Sequence, residues 1–187
     1  MQSQLQKKLP IMIVCACIAL LSGCKSKPHT PTNSLKTPEE VVKVFCDLDA
    51  NGTRLSSLTW SNVLPYVTWQ EEATESAVIV ITSYYLTGTS KTDSKAEILV
   101  EYKVVGQYWD RKFTPSSTTE KIPVNINKTD SGWKITNLGT TVPHIYPHVF
   151  LAGLESRAAA AEKDRDAVSL EQLRRDVSLA RKIVDRK

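Results

Sequence analysis

Ala96-Glu97-Ile98-Leu99-Val100-Glu101-Tyr102-Lys103-Val104 alternates with a period of two. Ile98, Val100, Tyr102 and Val104 fall on one face, while Glu97, Glu101 and Lys103 fall on the other. This is the pattern of a strand with one buried face and one solvated face, and it continues over 96–109. Upstream, residues 77–87 are rich in β-branched and aromatic types and apolar on both faces in their first half, which predicts an inner strand. Residues 88–94 read as a polar turn between the two. Downstream, 119–127 repeats the alternation through Ile122, Val124 and Ile126, with Pro123 marking an edge or a bulge. Asp130-Ser131-Gly132 then makes a tight turn into the last strand, Trp133-Lys134-Ile135-Thr136.

Before the strands the period is helical. Thr37-Pro38-Glu39-Glu40 has the form of a capping box: Thr37 as N-cap, Pro38 in the first turn and Glu40 reaching back. Val41, Phe45 and Leu48, with Val44, give an apolar stripe, and Asn51-Gly52 ends the helix. A second short helix is expected over 61–66, stopped by Pro65. A capped amphipathic helix, a short helix and long strands closing on Gly132-Trp133-Lys134-Ile135 resemble the NTF2-like superfamily over about 36–140. The resemblance implies an α+β fold in which a strongly curved antiparallel sheet wraps the N-terminal helix. That fold hosts isomerases, dehydratases, carriers and scaffolds alike, so it does not by itself assign an activity.

Residues 146–187 change character again, with acids and bases mixed and Gly153 their one glycine. Two helices are expected, over 148–167 and 170–186, the second opened by a capping box at Ser169-Leu170-Glu171-Gln172. Leu170, Leu173, Val177, Ala180 and Val184 recur at three-then-four spacing and form an apolar seam. The seam either docks on the chain's own sheet or serves a partner protein or a second copy. The expected division is 1–23, 24–35, 36–145 and 146–187: signal peptide, tether, α+β domain and C-terminal helical extension.

The first of these segments carries an address. Lys7 and Lys8 precede an apolar run over 11–21, too short to span a bilayer as a permanent helix, followed by Leu21-Ser22-Gly23-Cys24. The last four residues resemble the bacterial lipobox, which implies peptidase recognition of Leu21, Ser22 and Gly23 and diacylglycerol attachment to Cys24. Loss of Lys7 and Lys8 halves the formal charge of +4. The remaining basic residues alternate with acids, so nothing points to nucleic acid. Of the four cysteines, Cys15 and Cys17 leave with the signal and Cys24 is lipidated. Cys46 remains, a buried apolar-type residue with no disulfide partner. Residues 25–35, rich in Lys, Ser, Pro and Thr, read as a tether; His29 there needs no function. Lys25, where an Asp would typify inner-membrane retention, resembles an outer-membrane lipoprotein facing the periplasm if the source is Gram-negative.

Candidate chemistry is sparse. Enzymes of the superfamily place Asp, His or Tyr inside the cone, and the residues to consider are Tyr84, Tyr85, Tyr102, Glu101 and Asp110; none forms a recognisable spacing. Alternation puts Glu101 opposite Tyr102, towards solvent. His144 and His148 are four apart and would share a helix face as metal ligands. Pro143 and Pro147 interrupt that helix, however, so two surface or capping histidines are expected. The seven glycines are scattered, with no phosphate loop and no Gly-x-Ser-x-Gly elbow. Asn51-Gly52-Thr53 and Asn127-Lys128-Thr129 match glycosylation acceptors by chance in such a chain. No cofactor is expected. The expectation is a membrane-anchored envelope lipoprotein, held by the lipid on Cys24, with a non-enzymatic binding or assembly domain. Its partner would be an envelope protein or a second copy meeting the C-terminal helix. The alternatives are a periplasmic carrier or sensor for a small apolar ligand, and a cone-type isomerase or hydrolase.

Overall fold

A computed structural model describes residues 35–70, 77–140 and 142–185 of the 187. The lipobox-like stretch Leu21 to Cys24 and nearly all of the tether lie outside the described residues.

Helix α1 (Pro38–Ala50) opens as its residues dictate: Glu40 N–H donates to Thr37 Oγ1 at 3.2 Å, and Thr37 N–H donates to Glu40 Oε2 at 3.1 Å. It ends at Asn51, followed by Gly52 with φ of 77°. A Cβ there would meet Val149 Cγ1 at 2.8 Å, so glycine answers both the left-handed backbone and the close approach. The buried stripe is Val41, Val42, Phe45, Cys46, Asp49 and Ala50. It is rotated from the expected one, and Val44 and Leu48 stand only half-buried beside it. The short helix α2 is Ser57–Trp60, earlier than expected. Pro65 does not stop a helix but sits in the first turn of a 3₁₀ turn, Leu64–Tyr66, where its missing N–H costs nothing.

The sheet comprises β1 (Ala77–Lys91), β2 (Lys95–Trp109), β3 (Lys112–Thr129), β4 (Gly132–Leu138) and β5 (His144–Ile145), in the order β4-β3-β2-β1-β5. Neighbours are antiparallel except β1 and β5, which run parallel through Ile79–His144 and Val80–Ile145. The fold is α+β with a curled five-stranded sheet. Two strands are longer than their alternation suggests. Gly88 to Lys91 pair with Leu99 to Ala96, so the turn is confined to the residues between β1 and β2. Phe113 to Thr119 likewise pair with β2. Pro123 faces the β4 side just past the end of β4, where its carbonyl accepts from Gly139 N–H at 3.1 Å. At that point β3 is an edge, and no ladder donor is needed from it.

The curl has a local cause. Pairing slips on both sides of Ile81 in β1 and between Val104 and Gly106 in β2. An extra residue in a strand bends it and moves all later side chains to the other face. Ile81, Tyr84, Tyr102 and Val104 therefore face α1 in one core, with Ile98, Val100, Val124, Ile126, Trp133 and Ile135. Val78, Val80, Tyr108 and Phe113 face a second core on the opposite side.

That second core is closed by α3 (Pro147–Lys163) and α4 (Ala167–Val184). Phe150, Leu154 and Ala180 are buried in it, with Leu173, Val177 and Ile183 packed around them. This explains why the first half of β1 is apolar on both faces: α1 covers one and the tail hairpin the other. The expected capping box at Ser169 does not form. Asp166 is the N-cap of α4, and Ser169 N–H donates to its Oδ1 at 3.1 Å.

Candidate functional site

Strand register sets three polar side chains in a row across the face under α1: Tyr84 pairs with Tyr102, and Tyr102 with Glu120. Helix α1 lowers Cys46, Asp47 and Asp49 towards them, and β5 brings His144. Tyr84 Oη donates to Asp47 Oδ1 at 2.5 Å and to Lys43 O at 3.2 Å. Tyr102 Oη and Cys46 Sγ are 3.3 Å apart. The His144 ring stacks on Tyr102 at 4.1 Å between centroids and places Nε2 3.1 Å from Glu120 Oε2. Its backbone N–H donates to Asp49 Oδ2 at 3.0 Å, and Arg54 Nη1 donates to the same oxygen at 3.2 Å. Arg54 also lies 5.5 Å from the Phe45 ring centroid.

Asp49, Arg54 and His144 are buried. Glu120 is the opening of the cluster, its side chain 40% exposed. Burial pushes the Asp49 carboxyl up, against the pull of Arg54 and His144. Burial likewise pushes the Cys46 thiol up to about 12, opposed by the Tyr102 hydrogen bond. Tyr102 and Tyr84 are raised, first by burial and then by the negative charge near them. The hydrogen bond from His144 holds the Glu120 carboxyl below its usual range. Asp47 is lifted by partial burial, but its bonds from Tyr84 and Lys43 prevail and lower it. At neutral pH the thiol and both phenols therefore keep their protons, while the Asp47 and Glu120 carboxylates are ionised. Chemically the cluster is a clasp: it ties β5, and through it the tail, to α1 and the sheet.

The residues singled out in the sequence are thus divided. Tyr84, Tyr102 and His144 meet in this cluster. Tyr85 is 54% exposed on the other face, and Glu101 lies there between Lys103 at 2.7 Å and Lys121 at 3.4 Å. Asp110 is a hairpin turn residue. His144 is not a surface histidine but buried in β5, whereas His148 is exposed in the first turn of α3, its ring 5.8 Å from that of Tyr146. The two share no helix face, and among the described residues no group of three or more His, Cys, Asp or Glu is placed to hold a metal ion. In the tail seam, Leu173, Val177 and Ala180 pack into the second core, while Leu170 and Val184 are half-buried. Leu170 and Val177 also line a groove between α3 and α4, bridged by Arg174–Glu162 at 3.2 Å and Arg181–Glu155 at 2.6 Å.

Asp49, Arg54 and Glu120 were not anticipated. Asp49 had a signal: it lies four residues after Phe45 and three after Cys46, an acid on the apolar stripe. Glu120 becomes visible only once its register with Tyr102 is known.

No protein-family model and no curated protein matches the chain. Among solved structures it is similar to the Ntf2-like, potential transfer protein TraM from the Gram-positive conjugative plasmid pIP501. The identity is 14% and the TM-score 0.36, over 52% of this chain and 85% of that one.

Proposed function

We propose that the chain is a lipid-anchored lipoprotein of the bacterial cell envelope whose NTF2-like domain is a non-enzymatic binding or assembly module. The anchor rests on Leu21-Ser22-Gly23-Cys24 behind its basic and apolar regions. The observation that carries the rest of the reading is the filled face under α1. Val41, Phe45, Ile98, Ile126 and Ile135 are buried together between α1 and the sheet, and Cys46, Asp49, Tyr102 and His144 make hydrogen bonds within the same face. A domain so closed presents its outer surfaces to partners instead. Lys25 after the modified cysteine favours the periplasmic face of the outer membrane in a Gram-negative source.

The test is metabolic labelling of the full chain with an alkyne fatty acid in a bacterial host, followed by membrane fractionation. The wild-type chain takes up label and sediments with membranes; Cys24→Ala does neither. Equal labelling of both, or label on neither, contradicts the anchor. Reconstituted lipoprotein analysed by native mass spectrometry should carry no small ligand on its folded domain; a stoichiometric bound molecule would support the carrier reading.

A further inference from the structure

We infer that a pocket between α3, β1 and β5 binds a small carboxylate with an apolar body, one ring or a chain of about six carbons. The inference goes beyond the lipoprotein reading and does not depend on the anchor. The site lies on the tail side of the sheet, away from the face under α1.

Most of the lining is apolar. Val78 of β1, Ile145 of β5 and Phe150 of α3 are buried, and the half-buried Leu55 and Val149 stand with them. The cavity measures about 180 Å³. A dry apolar cavity of about 150 Å³ takes up benzene, so this space suits one ring or a short chain.

On α3 the lining changes to Gly153, Ser156 and Arg157, which share one helix face. Gly153 is exposed, and a Cβ built on it would meet nothing within 4 Å. It lies inside α3 with no positive φ, so neither the backbone nor the packing calls for glycine. Alanine is more stable than glycine in a helix interior. What the glycine leaves is free space at the edge of the pocket.

Arg157 is the one charged residue of the lining. Its Nε donates to Gly153 O at 3.4 Å, and its guanidinium carbon stands 4.9 Å from the Tyr108 ring centroid, which holds the group in place. It makes no ion pair among the described residues. The acids around it are engaged elsewhere. Glu155 of the same helix is bound to Arg181 at 2.6 Å. Asp176, whose charge reaches Arg157, is buried on α4, receives Gln172 Nε2 at 3.0 Å and is not part of the lining. An oriented guanidinium without a carboxylate of its own is ready to bind one from a ligand through two parallel hydrogen bonds. Apolar walls with this single cation at the rim select an apolar body that ends in one negative charge. A ligand of about nine non-hydrogen atoms reaches a dissociation constant of roughly 0.1–1 mM at ordinary efficiency. At that affinity it leaves during purification, and a chain isolated without it is empty.

The experiment titrates the full chain, held in phosphatidylcholine nanodiscs, with 4-fluorobenzoate and follows the probe by fluorine NMR; empty nanodiscs are the blank. The wild-type chain binds it saturably. Arg157→Gln weakens binding about tenfold or more. Gly153→Leu, which puts a side chain into the free space, weakens it as much, while circular dichroism shows both variants folded. The uncharged 4-fluorobenzyl alcohol binds the wild type about tenfold more weakly and does not distinguish it from Arg157→Gln. Absence of saturation up to about 10 mM probe overturns the site. So does binding that neither variant changes. A loss of the same size in Lys103→Gln, on the outer face of the sheet, would assign the effect to overall charge and overturn it too.

Discussion

At Asp49 one carboxylate oxygen receives both the Arg54 guanidinium and the His144 backbone N–H, out of water. Removing one member of a buried charged pair leaves the other desolvated and typically costs about 3–5 kcal/mol. Asp49→Ala is expected to lower the unfolding free energy by that order, read from urea melts followed by circular dichroism; a loss below about 1 kcal/mol would show that Arg54 finds equal company elsewhere. Cys46 gives a prediction in pH. The thiol is raised from 9.0 to about 12, so above pH 9 the unfolded chain gives up a proton that the folded chain keeps. Stability therefore falls as pH rises from 9 towards 12, and the raised Tyr84 and Tyr102 act in the same direction. Urea melts at pH 8.5 and 10.5 measure the slope. Iodoacetamide should modify Cys46 only on unfolding; rapid alkylation of the native chain would contradict its burial. The sequence already marked Cys46 as a buried residue with no disulfide partner, since an apolar helical neighbourhood suffices for that. It could not show Glu120 meeting His144, because that pair needs strand register and the path of β5 together.

Among the elements, the β2–β3 hairpin exposes what alternation can and cannot say. Trp109 pairs with Lys112 across a two-residue turn, and Asp110 and Arg111 have φ of 48° and 58°. Both being left-handed fits the turn geometry that matches strand twist, yet arginine is poorly suited to it. Arg111→Gly is expected to raise stability by up to about 1 kcal/mol in thermal or urea melts, and a loss would place the strain elsewhere. Without an Asn-Gly or Asp-Gly pair the turn left little mark on the sequence, and the polar first half of β3 hid the strand beyond it. The opposite case is Gly106, where an added Cβ would stand 2.4 Å from Phe113 Cζ and 3.2 Å from Thr114 O. Gly106→Ala should cost about 1–3 kcal/mol by overpacking, and a neutral effect would mean that Phe113 can swing away. Strands with one clean buried face, such as 96–104, were legible because their own residues on that face, Ala96, Ile98, Val100, Tyr102 and Val104, are all aliphatic or aromatic. Those whose side chains change faces at a bulge were legible only up to it.

At the scale of the molecule, the tail hairpin is part of the fold rather than an appendage, because Val78, Val80, Tyr108 and Phe113 share their core with Phe150 and Leu154 of α3 and Ala180 of α4. Ending the chain at 166 removes Leu173, Val177, Ala180 and Ile183 from that core. The expected loss is about 3 kcal/mol or more, a fall in Tm of roughly 10 °C. An unchanged Tm would mean that the hairpin only rests on the sheet. The apolar period of the tail was plain in the sequence. The surface it would meet was not, since the two-sided burial of β1 reads equally well as an inner strand of a larger sheet. All of this has its proposed biological setting through one residue, Cys24, and intact mass spectrometry of the protein extracted from membranes tests that most directly. The expected species begins at Cys24 and carries the added mass of a diacylglyceryl group, with or without a further acyl chain. A chain that retains residues 1–23, or one that begins at Cys24 without lipid, would contradict the proposal.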